Sequence, residues 1–163
     1  MQKALSLFAL CLALLFSSPA WATPFLQEGG EAPSFRVNTL EGEEISLQGL
    51  TSDSHLLLIF WTTWCPECSR TLSEVEHLAA DYDSEDLAIL GINTGVDDTP
   101  ERAERFRERH DLDIPLAFDR DSEITQDYFI QGIPTLFVVD PGGKVTFKGN
   151  TLSDRLLQAL DEI

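Results

Sequence analysis

The sequence predicts a three-layer α/β sandwich around a mixed central sheet, and three patterns carry that expectation. Two apolar runs of strand length, residues 56–60 and 87–92, lack polar alternation, as expected of strands covered on both faces. Beyond the first run, apolar positions recur at Cys68, Leu72, Val75, Leu78, Ala79 and Tyr82, steps of three and four that describe an amphipathic helix. Two further apolar segments, 136–139 and 145–147, flank Asp140-Pro141-Gly142-Gly143, which signals a hairpin.

The remaining elements follow in order. Residues 35–39 and 45–47 alternate around Glu41-Gly42-Glu43 and predict an N-terminal hairpin. Pro66 suits the first turn of the helix that follows the first apolar run. Thr99-Pro100, a cap residue and then a proline, opens a second helix that runs to about His110. Residues 116–118 form a short strand candidate and residues 123–129 a short helix. Ser153 caps a terminal helix whose inner face is Leu156, Leu157, Leu160 and Ile163. The charge runs at 97–98 and 101–109 read as a solvated helix face. His77 and His110 read as surface or half-buried side chains.

A chain of 163 residues, 43% hydrophobic and 24% charged, suits a single globular domain. Its net charge of -17 repels phosphate backbones, which argues against nucleic acid as a partner. Residues 1–22 read as an export signal. Lys3 supplies the positive start, residues 4–16 are apolar, Ser17, Ser18 and Pro19 break the run, and Ala20 and Ala22 place small residues before a cleavage point. The apolar run is shorter than the roughly 18–20 residues that span a bilayer, and the alternative is an uncleaved anchor. Residues 23–29 then form a short flexible leader and residues 30–163 the domain. The expected location is periplasmic.

Loss of residues 1–22 removes Cys11 and leaves one close pair, Cys65 and Cys68. Two intervening residues close too small a loop to staple a fold, so the pair serves chemistry or metal. In Trp64-Cys65-Pro66-Glu67-Cys68 the first sulfur lies directly after a buried strand and opens a helix. A helix N-terminus favours the reactive thiolate through unpaired N–H groups and the dipole. Cys65 is therefore the expected nucleophile. Cys68, one turn later on the same face, is the expected resolving thiol. The competing reading is half a zinc site, but there is no second such pair, and His55, His77 and His110 show no paired spacing. No metal and no dissociable cofactor are expected.

Phe60-Trp61-Thr62-Thr63-Trp64-Cys65-Pro66-Glu67-Cys68, Gly132-Ile133-Pro134-Thr135 and Asp140-Pro141-Gly142-Gly143-Lys144-Val145 together resemble the TlpA/ResA-like thiol–disulfide oxidoreductases of the thioredoxin superfamily. The resemblance covers roughly Gly30 to the C-terminus. It implies a thioredoxin fold with an N-terminal hairpin and a helix-plus-strand insertion within residues 95–123. It implies a cis-proline at Pro134 against the disulfide, with Ile133 offering backbone pairing to a substrate peptide. Trp64, Pro66 and Glu67 would complete the substrate surface. It also implies a protein that reduces protein disulfides, those formed by apocytochrome c thiols among them, and that takes electrons from a membrane thiol transporter; a monomer is expected.

Two departures stand out. Ile59 occupies the place of the buried acid found in thioredoxin, and Thr71 and Ser73 stand where many relatives carry a glutamate and a proline. A proton acceptor for Cys68 is thus not identified. Glu67, lying between the cysteines, disfavours a thiolate and so favours a reducing couple. Two rivals remain. One is a peroxiredoxin-like thiol peroxidase, since Pro33-Ser34-Phe35 and Thr62, three residues before Cys65, match that group. The other is a copper-binding assembly factor on the same fold, although relatives of that kind space their cysteines by three residues and add a histidine.

Overall fold

The computed structural model describes residues 25–83 and 85–161; the predicted export signal lies outside the described residues. The predicted sandwich is present. Its five-stranded sheet has the order β5-β4-β3-β6-β7, where β3 is His55–Trp61, β4 Leu87–Asn93, β5 Leu116–Phe118, β6 Thr135–Val139 and β7 Val145–Gly149. β3, β4 and β5 run parallel, β6 is antiparallel to β3, and β7 is antiparallel to β6. Register sets Ile59 opposite Gly91 on one side and Leu136 on the other. A Cβ at Gly91 would fall 2.5 Å from Leu116 Cδ2 and 3.2 Å from Trp61 Nε1, so glycine there lets the indole lie against the strand.

Alternation along β3 divides the core. Leu57, Ile59 and Trp61 face one way and pack with α2 (Pro66–Ala79), α3 (Pro100–His110) and α5 (Asp154–Asp161). Leu56, Leu58 and Phe60 face the other way, toward α1 (Leu47–Leu50), α4 (Glu123–Asp127) and the small antiparallel sheet of β1 (Arg36–Asn38) and β2 (Glu44–Ser46). On α2, Cys68, Leu72 and Val75 are fully buried. Truncating a buried leucine such as Leu72 to alanine costs about 2–5 kcal/mol, so this face alone is a large share of the fold's stability.

Both rims of the sheet are capped by the N-terminal region. On β7, Gly29 N–H donates to Val145 O at 2.7 Å and Val145 N–H donates to Gly30 O at 2.9 Å, with a bridge between Glu31 and Lys144. On β5, Leu40 N–H donates to Leu116 O at 2.7 Å and Thr39 bridges Ala117.

Four expectations are corrected. Residues 25–29 are not a flexible leader: Leu26 is buried, and Glu28 accepts from Lys148 N–H at 3.0 Å and pairs with Arg155. Leu47 begins a helix and does not continue a strand, because the Ser46 hydroxyl accepts from Gly49 N–H at 3.2 Å and caps a turn there. The helix expected over residues 123–129 ends at Asp127, since Phe129 turns into the left-handed region at φ 51°. On α5, Leu156 and Leu160 are buried but Leu157 is exposed, one position off the inner stripe. Ile163 lies outside the described residues.

Candidate active site

β3 delivers the chain to the head of α2, where Cys65 is the N-cap residue and Pro66 occupies the first turn. Proline fits because its missing N–H is one the helix start leaves unpaired. Cys65 and Cys68 form a disulfide with Cα atoms 5.2 Å apart. Cys65 Sγ accepts from Cys68 N–H at 3.1 Å and lies 3.9 Å from the Ile133 carbonyl oxygen. Cys65 retains 7% exposure whereas Cys68 has none.

The Ile133–Pro134 peptide is cis, Pro134 is buried, and Ile133 is half-buried beside the sulfur. Trp64 is exposed and its indole N–H donates to Val96 O at 3.0 Å. With Val96, Ile130 and Ile133 it lines an apolar recess of about 250 Å³. Pro66 and Glu67 are exposed, and Glu67 forms an ion pair with Arg70, which offsets part of the field it exerts on the sulfurs. The structure thus brings Trp64, Cys65, Cys68, Ile133 and Pro134 together, while Pro66 and Glu67 form the outer edge.

Around Cys68 the neighbours are apolar. Ile59, which replaces an acid at that position, is fully buried in the same cluster, as are Trp61 and Leu72. Thr71 is buried and Ser73 donates to Ser69 O at 3.1 Å. Ser69 contacts His110 at 3.4 Å, and the imidazole stacks on Phe106 with ring centres 4.2 Å apart. Thr62 is fully buried and its hydroxyl has no hydrogen-bond partner. Among the described residues, no group of three or more histidine, cysteine or carboxylate side chains is placed to hold a metal ion.

Asp98 was expected on a solvated face; the residue is half-buried and its side chain is turned wholly inward. It accepts from Thr63 N–H at 2.6 Å, Thr63 hydroxyl at 2.8 Å, Asn93 Nδ2 at 2.9 Å and Thr99 N–H at 3.0 Å. Burial pushes this carboxyl up, but the hydrogen bonds from Asn93, Thr63 and Thr99 outweigh it and hold the group below the ordinary carboxylate range. Asp98 therefore anchors the loop that carries Trp64 and Cys65. Its position directly before the Thr99 cap was the one local signal available.

A vicinal disulfide at a helix head, beside a cis-proline loop and an apolar recess, is equipped for exchange with another disulfide. The AhpC/TSA family profile matches residues 29–148. The thiol-disulfide oxidoreductase ResA of Bacillus thuringiensis subsp. konkukian is 31% identical over 140 residues, 85% of this chain and 79% of its own. The thioredoxin-like protein YneN of Bacillus subtilis is 33% identical over 121 residues, 74% of this chain and 69% of its own. Among solved structures, a thiol-disulfide oxidoreductase from Bacteroides fragilis superimposes with a TM-score of 0.72 at 26% identity, covering 82% of this chain and 98% of that one. StoA from Bacillus subtilis gives 0.69 at 24% identity over 80% and 97% of the two chains, a likeness of fold.

Fold and site define a thiol–disulfide oxidoreductase with a thioredoxin fold. The chain belongs to the AhpC/TSA family, in its TlpA/ResA-like branch.

Proposed function

We propose that this oxidoreductase is an exported monomer that reduces disulfides in partner proteins, with Cys65 as the attacking sulfur and Cys68 as the resolving one. The difference in exposure between the two sulfurs carries the reading: Cys65 keeps an opening at the surface, and Cys68 is sealed. Residues 1–22 serve as the signal and residues 30–163 as the working domain. Trp64, Pro66, Glu67, Ile133 and Pro134 contact the substrate.

The reduced Cys65 thiolate attacks a substrate disulfide, forming a mixed disulfide and expelling one substrate thiolate. Cys68, after losing its proton, attacks Cys65 Sγ and breaks that bond. The second substrate thiol leaves, and the protein retains both sulfurs as a disulfide. Two electrons have passed to the substrate, and a membrane thiol transporter returns them. Disulfides formed by apocytochrome c thiols are the proposed substrate class, and Glu67 between the cysteines supports a reducing couple.

Cys68→Ser is expected to trap covalent partners in the native envelope, and Cys65→Ser is not. Equal trapping by both variants overturns the division of roles. A reduction potential below about −200 mV supports the direction, and a value near about −120 mV reverses it.

A further inference from the structure

Beside the active-site loop the chain gathers positive charge that ion pairs only partly neutralise. The protein holds eight arginines among 28 acidic residues. Arg36, Arg70, Arg102, Arg107 and Arg155 each reach a carboxylate. Arg105, Arg109 and Arg120 form no ion pair within 4 Å among the described residues, although Glu101 on the same helix as the first two feels the charge of Arg105 and Arg120 at longer range; Arg105 and Arg109 are exposed. They stand four residues apart on α3, a spacing at which like charges repel. The helix C-terminus accounts for a cation at Arg109, but Arg105 sits in the middle of α3.

These two side chains, with Arg102, line a recess of about 240 Å³ whose other walls are Phe106 and Thr63. Arg102 is oriented there by Asp97 O at 2.9 Å and by Asp98 at 3.5 Å, so its charge is half committed. Thr63 is two residues before Cys65, which puts that wall within about 7 Å of the Cys65 Cα along the chain. Trp64, the residue between them, lines the apolar recess. A cationic recess and an apolar one therefore adjoin the same three-residue stretch of the loop.

We propose that Arg102, Arg105 and Arg109 form a carboxylate-binding subsite that takes an acidic side chain close in sequence to the reactive cysteine of a protein substrate. The proposal rests on Cys65 as the attacking sulfur. Arg105 and Arg109 are exposed guanidinium groups that can meet a carboxylate in a two-point contact, and Arg102 adds a partly committed charge to the same recess. Thr63 in its wall is two residues from Cys65, so the recess adjoins the loop that carries the attacking sulfur. Elsewhere the strongly negative surface repels acidic chains, so this subsite would also orient the substrate as it docks.

The test is an NMR titration of the oxidised protein with a cysteine-free, end-blocked Glu-Asp-Glu-Gly peptide at low ionic strength, with Lys-Lys-Lys-Gly as the comparison. Saturable shifts are expected at the Thr63 amide and at the Arg105 and Arg109 Nε–H groups for the acidic peptide alone. The dissociation constant should rise at least about fivefold in R105Q/R109Q, and it should rise with added salt. Each single variant, R105Q and R109Q, is measured as well, so that the answer does not depend on the double variant folding. An absence of saturable shifts, an equal response to the lysine peptide, or an unchanged constant in the folded variants overturns the subsite. Alkylation of Cys65 on the same preparation, after reduction, tests the nucleophile separately, since its failure leaves peptide binding measurable.

Discussion

Thr63 gives both its backbone N–H and its hydroxyl to one carboxylate, that of Asp98, at 2.6 and 2.8 Å across 35 residues of sequence. The contact locks the approach to Cys65 against the segment that opens α3. Asp98→Ala leaves those donors and Asn93 Nδ2 buried without an acceptor. The expected loss is about 2–4 kcal/mol in urea unfolding, against about half that for Asp98→Asn, which keeps one oxygen. A loss below about 0.5 kcal/mol for the alanine variant would show that the loop holds itself.

The pH dependence follows from the same group. Asp98 has a folded pKa below its unfolded value, near about 3.9, so its contribution is full above that value. It disappears as pH falls through the folded pKa. Melting temperature should therefore drop more steeply below about pH 4 in the wild type than in Asp98→Asn.

At the other end of the scale, burial chiefly, with a smaller push from Asp127, raises the Tyr128 phenol. Its folded pKa exceeds the unfolded value of about 10, so the stability it brings is intact below that pH and is lost as pH rises beyond it. Tyr128→Phe should flatten the alkaline limb. It should also cost about 1 kcal/mol at neutral pH, because the hydroxyl donates to Pro33 O at 2.9 Å.

The two thiols of the reduced protein should differ in reactivity. Iodoacetamide at neutral pH is expected to label Cys65 at least about tenfold faster than Cys68, read by peptide mass mapping, since only Cys65 combines a helix head with an opening to solvent. Equal rates would remove the basis for assigning their order of attack.

Trp64 on the active-site loop and Phe129 just beyond α4 are exposed aromatics, and Phe129 holds a left-handed backbone. Phe129→Gly should stabilise the fold by about 0.5–1 kcal/mol through relief of that conformation. Trp64→Ala should change stability by less than about 0.5 kcal/mol. It should nonetheless lower kcat/KM for a protein disulfide by about tenfold, through a rise in KM. A fall in kcat alone would place the indole in the chemistry and not in binding.

Much of this architecture was legible because local pattern and tertiary demand agree. Unbroken apolar runs at β3 and β4 mark covered strands, and Thr99 and Pro100 mark the start of α3 in full agreement with its cap. The disulfide pair was legible for the same reason: strand, turn and helix lie consecutively in sequence. What escaped depends on contacts between distant segments. Asp98 looks like any acid in an acidic chain until Thr63 is folded against it, and Leu26 looks solvated until it joins the cluster that includes Val145 of β7. Leu157 shows the finer limit, since a hydrophobic stripe fixes a helix face only to within one residue's rotation.

The caps on β5 and β7 have a consequence for how a substrate approaches. An uncovered outer strand invites another chain to extend the sheet by backbone pairing, a route open to peptide ligands and to aggregation alike. Here residues 29–31 and 39–40 occupy both places. An incoming polypeptide is left to dock across the helix-head end, where the sulfur lies, and deleting the first forty residues would trade that selectivity for self-association.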